Sequence, residues 1–249
     1  MASGELAVTG ERATPVASAA AAPLFAGHAI IFDLFGTLLH DFPQAGHRGV
    51  IGEIADLLGA PFEAFFAGWQ ATYDERATGR LATIGANVQH VLAGLGLSAS
   101  EDLLERVTAL RMDFRANNLR LRDGATEVLA ELRRRGYRLG LLSDCSMEVP
   151  LLWQTTPLPP LLDAAVFSCE AGLRKPAPAM YEMICARLQV SAADCLYVGD
   201  GGSHELTGAQ AAGMRPVWIP TCGEDGRVDP EVWAGETVTT LPELLHLVR

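Results

Sequence analysis

The chain has 249 residues, 49% of them hydrophobic and 20% charged, a balance that supplies a full α/β core with a modest insertion and excludes a disordered or fibrous chain. Its formal net charge of −11, from 30 acidic against 19 basic residues, excludes a surface built to neutralise a nucleic-acid backbone. No run reaches the ~20 apolar residues that span a bilayer, so neither nucleic acid nor membrane is expected as a partner.

Residues 1–27 read as a flexible, alanine-rich tail. Ala17 to Ala22 is apolar, but Glu5, Glu11 and Arg12 precede it, whereas a secretory leader has a basic start and a longer apolar stretch. The first strand is Ala29-Ile30-Ile31-Phe32, an unbroken apolar run of the kind that is buried on both faces of a parallel sheet. It is followed by a long helical interval instead of a short crossover. Phe62, Phe65, Phe66, Trp69 and Tyr73 form one apolar stripe, Val88, Val91, Leu92 and Leu95 a second, and Leu103, Val107, Leu110 and Phe114 a third. Such faces pack into a small bundle. Its place after the first strand puts it over the carboxyl ends of the strands, where open α/β sheets bind ligands.

The strand–helix rhythm then resumes. A helix from about Gly124 to Arg135, with Asp123 as its N-cap and Gly136 past its end, leads to a strand at Leu139 to Leu142. The basic run Arg133 to Arg135 complements the end of that helix and reads as structural. Strands follow at Ala164 to Phe167, Cys195 to Val198 and Pro216 to Ile219. Between them lie a helix after Pro176, with Tyr181, Ile184 and Leu188 at helical spacing, and one from about Ser203 to Ala212. The expected fold is therefore a doubly wound parallel α/β sheet with a small helical cap. The core takes residues 28–45 and 119–249, and the cap residues 46–118. Cys145, Cys169, Cys185, Cys195 and Cys222 form no closed disulfide framework, so a reduced, cytoplasmic setting is expected.

Four places near strand ends carry chemistry. Asp33 leaves the first strand beside Gly36-Thr37, where turn amides point into a cleft and suit a carboxylate nucleophile. Ser143-Asp144 ends the second strand, Lys175-Pro176 precedes a helix, and Gly199-Asp200-Gly201-Gly202-Ser203-His204-Glu205 is a glycine-rich loop with two acids. Singly, each also suits a turn, a cap or solvated surface. Their order and spacing point to one site.

Together, Asp33-x-x-Gly36-Thr37, Ser143, Lys175-Pro176 and Gly199-Asp200 with Glu205 resemble the motifs of the haloacid dehalogenase superfamily, from about Ala29 to Ile219. The resemblance implies a Rossmann-like core with a helical cap and a covalent intermediate on Asp33. It implies that Lys175 offsets charge, that Thr37 and Ser143 bind the transferring group with Asp144 beside them, and that Asp33, Asp200, Glu205 and the carbonyl of Phe35 hold Mg²⁺. Independently of it, three acids converging on one Lys call for a divalent cation, and oxygen-only ligands suit Mg²⁺.

Two departures matter. Phosphatases of the superfamily resemble one another in a second Asp two residues after the nucleophile, where this chain has Phe35. The dehalogenases have an aromatic there, but resemble a metal-free design with Ser and Asn in place of the acidic pair. Here Asp200 and Glu205 are kept, and acids without a metal would repel a haloacid's own carboxylate. The pair therefore decides for a Mg²⁺-dependent phosphatase on a small organic phosphate. The alternatives are a 2-haloacid dehalogenase-like hydrolase and a weakly active or binding-only relative. His40, His47 and His204 are the candidates to replace the missing proton donor. Arg48, Trp69, Tyr73, Arg76 and Arg80 are the cap residues that could face the site.

Overall fold

The computed structural model describes residues 24–41, 43–221 and 231–249. In chain order, β1 (Ala29–Phe32) is followed by α1 (Gln44–Leu57), α2 (Phe62–Ala71), α3 (Tyr73–Ala77), α4 (Ile84–Gly94) and α5 (Glu101–Asn117). Then come α6 (Ala125–Arg134), β2 (Arg138–Ser143), α7 (Glu148–Trp153), β3 (Ala164–Phe167), α8 (Ser168–Ala171) and α9 (Pro178–Leu188). The chain continues through β4 (Cys195–Gly199), α10 (Glu205–Ala211), β5 (Arg215–Trp218) and the two-residue β6 (Glu236–Thr237).

All strand pairs are parallel, in the order β3-β2-β1-β4-β5-β6. Two-sided burial explains the unbroken apolar runs. Ile30 and Phe32 pack with Leu139, Leu141, Leu196 and Val198 against α6, while Ala29 and Ile31 pack with Leu142 and Tyr197 against α9 and α10. Helices thus cover both faces, as a doubly wound sheet requires. Because the strands are parallel, Asp33, Ser143 and Asp200 all leave the same edge.

Residues 44–117 form a helical insertion with an apolar core of its own. Val50, Ile51, Ile54, Phe65, Trp69, Val88, Val91, Leu92 and Val107 cluster without a buried partner from the sheet. Thr83 and Ser100 cap α4 and α5 by accepting from the amides of Ala86 at 3.0 Å and Leu103 at 3.4 Å. The insertion is tied to the sheet by a short antiparallel ribbon, in which His40 N–H donates to Arg120 O and Arg122 N–H to Leu38 O, both at 2.9 Å.

Several expectations need correction. Of the tail assigned to residues 1–27, 1–23 lie outside the described residues. At its end Phe25 is buried, and its amide donates to Leu247 O at 2.7 Å, because the C-terminal segment offers it an apolar shelf. Gln44 begins α1 two residues before the expected boundary, behind Pro43. Asp123 is not the N-cap of α6; Gly124, with φ of 78°, takes that position. Tyr73 leaves the stripe of α2 for α3 and is exposed. In the third stripe Val107 alone is fully buried, and the buried face of α5 turns towards Arg111. Cys145, Cys169, Cys185 and Cys195 are free and buried, and Cys222 lies outside the described residues. Among the described residues no helix is long and apolar enough to cross a membrane.

Candidate active site

Asp33 follows β1 directly, and its amide donates to Val198 O at 2.9 Å, which continues the pairing with β4 and fixes the backbone there. Its carboxylate is buried. Lys175, in the loop before α9, donates from Nζ to Asp33 Oδ1 at 2.6 Å and to Glu205 Oε2 at 2.5 Å. Glu205 opens α10; Oε2 also accepts from the Tyr197 hydroxyl at 2.7 Å and Oε1 from the Gly201 amide at 3.0 Å. Asp200, just past β4, accepts at Oδ1 from the Gly202 amide at 3.0 Å. Burial alone would depress the Lys175 ammonium, but Asp33, Glu205 and Asp144 outweigh it and hold it well above the ordinary lysine range. Burial and Glu205 in turn push the Tyr197 phenol well up, so it stays a neutral donor.

Oxygens of Asp33, Asp200 and Glu205 lie within 4.8 Å of one another. Three carboxylates facing one ammonium leave two negative charges over, which a divalent cation would balance. The backbone is shaped to let the acids in. A Cβ on Gly36 would lie 2.2 Å from Asp200 Oδ2, and one on Gly199 2.3 Å from Glu205 Oε1. The donor set and this cradle fit Mg²⁺.

Gly36 also has φ of +82°, so Gly36→Ala combines backbone strain with displacement of a carboxylate. Activity should fall by about 10²-fold or more, the typical effect of misplacing a reacting group by about 1 Å. Gly213→Ala is the control: φ is +90° there too, but nothing lies within 4 Å of the added Cβ. It should lower the melting temperature to a similar extent and spare the rate. Equal rate losses in the two variants would remove the carboxylate contact as the reason for Gly36.

Thr37 and Ser143 are fully buried, and their hydroxyls have no hydrogen-bond partner among the described residues. A buried hydroxyl left so costs ~1–3 kcal/mol, so two of them beside the carboxylates are placed for a ligand. Asp144 sits differently from the expectation that grouped it with phosphate-binding residues. Its carboxylate accepts from the Lys175 amide at 3.0 Å and from Arg174 Nε at 3.5 Å, so it braces the lysine loop, and its charge would repel a phosphate.

A cavity of about 280 Å³ opens beside these groups, between the insertion and the loops after β1 and β2. Phe35, Asp144, Cys145 and Ser146 wall it on the sheet side, and His47, Gln70, Tyr73, Arg76, Arg111 and Arg115 on the insertion side. Of the five cap residues expected here, Tyr73 and Arg76 line it. Trp69 is interior to the insertion, Arg48 stacks on Phe62 and Phe66 and pairs with Glu63, and Arg80 pairs with Glu75 outside. His47 is in the wall, but burial, with Arg111 and Arg115 beside it, lowers its pKa to about 3, which leaves it no proton to give at neutral pH. His204 is exposed, and His40 lines a separate recess with Arg120 and Arg122.

A family model described as haloacid dehalogenase-like hydrolase matches residues 28–213. The chain belongs to this family. It is 31% identical over 233 residues to the phosphoglycolate phosphatase of Cupriavidus necator, covering 89% of this chain and 94% of that one. Among solved structures, a haloacid dehalogenase-family phosphatase from Thermococcus onnurineus superposes with a TM-score of 0.63 at 24% identity, covering 88% of this chain and 97% of the other. A 2-haloacid dehalogenase from Pseudomonas syringae gives the same score and identity over 88% and 98%. At that identity the likeness concerns the fold.

Three members of this hydrolase's site are missing from the sequence reading. Tyr197 looks like strand core, and only its alternation with Val198 hints that it faces the lysine. Arg122 donates to Gly36 O at 2.5 Å and to Pro220 O at 3.3 Å, clamping the turn after Asp33. Glu231 accepts from the amides of Leu206 at 3.0 Å and Thr207 at 2.9 Å and so caps α10 from a distance. No local pattern marks either.

Proposed function

We propose that this hydrolase is a Mg²⁺-dependent phosphatase acting on a small organic phosphate, with Asp33 as covalent nucleophile. The observation that carries the reading is the convergence of the Asp33, Asp200 and Glu205 carboxylates within 4.8 Å of one another, with a buried ammonium on Asp33 and Glu205. Asp33, Asp200, Glu205 and the Phe35 carbonyl would hold the ion, whose chemistry is to neutralise phosphate charge and orient its oxygens. Lys175 fixes the Asp33 carboxylate through Oδ1, so that an oxygen of the same group attacks phosphorus as the ester oxygen departs. Thr37 and Ser143 donate to the phosphoryl oxygens. Water then cleaves the aspartyl phosphate and regenerates the acid.

Phe35 provides no proton for the leaving oxygen. General acid help is worth ~10²–10⁴ in rate, so esters of acidic alcohols are the better substrates. The same aromatic favours a second reading, a 2-haloacid dehalogenase-like hydrolase that needs no metal. The Asp33–Lys175 contact speaks against a binding-only role.

Metal binding separates the readings. Millimolar Mg²⁺ should raise the melting temperature of the wild-type protein, since a ligand at 100 times its dissociation constant stabilises by ~2.7 kcal/mol. Asp200→Ala should abolish the rise. Turnover of an aryl phosphate should require Mg²⁺, and 2-chloropropionate should not be consumed. A wild-type protein indifferent to Mg²⁺ that dehalogenates chloropropionate would overturn the phosphatase reading.

A further inference from the structure

The cavity beside the nucleophile contains more positive charge than the site chemistry uses. Arg111 is buried and its Nε donates to Glu148 Oε1 at 3.3 Å; Arg115 Nε lies 3.9 Å from the same oxygen. Arg76 is also buried, yet among the described residues it contacts no carboxylate: Nη1 donates to Trp69 O at 2.5 Å and Thr72 Oγ1 at 2.7 Å, and the guanidinium stacks on the Trp69 ring at 4.6 Å. Glu148 thus lies against two guanidiniums, with a third close by. Of the other acids in the wall, Asp144 is engaged by Arg174 and the lysine loop, so the three guanidiniums outnumber Glu148 and Asp41, the two remaining carboxylates among the described residues that line or adjoin the cavity.

Electrostatics agrees with the count. Burial pushes Arg76 down to about 10 and, together with Arg115, Arg111 down to about 9. Burial would raise Glu148, but Arg115 and Arg111 overcome this and hold it at about 2. His47 adds no compensating charge. Packing three guanidiniums around a cavity is costly unless an anion enters it. Stacking on Trp69, Tyr73 and Phe114 holds the arginines in place before any ligand arrives.

The Arg115 guanidinium lies 5.9 Å from the Phe35 ring centre, and Phe35 is two residues from Asp33. A substrate held at Asp33 and extending into the cavity would pass Phe35 and meet the arginines. At about 280 Å³ the space suits a small organic molecule.

We propose that Arg76, Arg111 and Arg115 form a second anion subsite, and that the substrates are small phosphate esters with another anionic group at the far end. The proposal rests on the phosphatase reading for its substrate class, though the anion site itself does not require turnover. Planar guanidiniums match the oxygens of a carboxylate or a phosphate in two-pronged fashion.

The test compares 3-phosphoglycerate with glycerol 3-phosphate, which replaces the carboxylate by a hydroxymethyl group, and with propane-1,3-diol bisphosphate. A nitrophenyl phosphate reports on phosphatase chemistry alone. Wild type should prefer 3-phosphoglycerate, the bisphosphate or both over glycerol 3-phosphate by at least about tenfold in kcat/KM, the scale of one or two charge-assisted hydrogen bonds. Which anionic ester leads tells carboxylate from phosphate. In Arg76→Gln and Arg115→Gln the preference should collapse towards unity, and Arg115→Lys should restore part of it. If nitrophenyl phosphate is hydrolysed but wild type shows no preference, the subsite is overturned and the phosphatase reading stands. If no phosphate ester is turned over, the phosphatase reading fails, and the subsite is judged by millimolar malonate: a rise in melting temperature that Arg76→Gln removes supports it, and no rise overturns it.

Discussion

Asp33→Asn is expected to lower turnover by at least ~10³ while the protein stays folded, because an amide oxygen is far too weak a nucleophile to form the aspartyl phosphate. The fold should survive because the backbone bond to Val198 is untouched and Lys175 keeps Glu205 at 2.5 Å and the Tyr197 hydroxyl at 3.3 Å. Circular dichroism and the melting temperature check the fold, and single-turnover kinetics check the chemistry. Retention of more than about a tenth of wild-type activity would exclude Asp33 as the nucleophile.

Phe35→Asp should change the enzyme's choice of leaving group. The new carboxyl would stand where a proton can reach the departing oxygen, so hydrolysis of an alkyl phosphate should rise, while an aryl phosphate, whose phenolate leaves unaided, should gain little. The ceiling is the ~10²–10⁴ of general acid catalysis. The structure predicts a gain below it. The Arg115 guanidinium, now 5.9 Å from the Phe35 ring centre, would favour the ionised carboxylate and so leave less of it protonated to serve as the general acid. The same guanidinium should soften the penalty of burying a carboxylate, although the lost aromatic packing costs ~3–5 kcal/mol. The decisive quantity is the ratio of the two rate changes in a folded variant. An equal fall on both esters would mean that the aromatic shapes the pocket, and the missing-donor account would be wrong.

Much of this was open to sequence reasoning for a definite physical reason. Strands buried on both faces carry unbroken apolar runs, so β1 to β5 announce themselves, and the site residues follow directly on those runs or open the next helix. β6 carries no such trace, because Glu236 and Thr237 are polar and are recognisable as strand only by their pairing with β5. The start of α6 was obscured because Asp123 has the usual capping side chain, whereas Gly124 occupies the position through its backbone. The arginine cluster is hidden for a different reason. Arg111 and Arg115 are charged positions on α5, and groups that meet them, Trp69 at Arg111 and Glu148 at both, come from elsewhere in the chain. The four-residue step from fully buried Val107 to Arg111 is the one local sign that this face turns inward.

The central place of β1 has a consequence for how the chain is made. Both neighbours of β1 come from beyond the helical insertion: Ala29 pairs with Arg138 of β2 on one side and with Cys195 of β4 on the other. A chain growing from its amino end therefore delivers β1 first, with neither sheet edge yet available to it. It next delivers the whole of residues 44–117, whose apolar residues already find partners among themselves. Unlike the first strand, the insertion can collapse while the rest is still being synthesised. The order of emergence thus sets Ile30, Ile31 and Phe32 waiting, apolar and unpaired, until the second strand has left the ribosome. Unpaired apolar strands of this kind are prone to aggregate, so that interval is a vulnerable one.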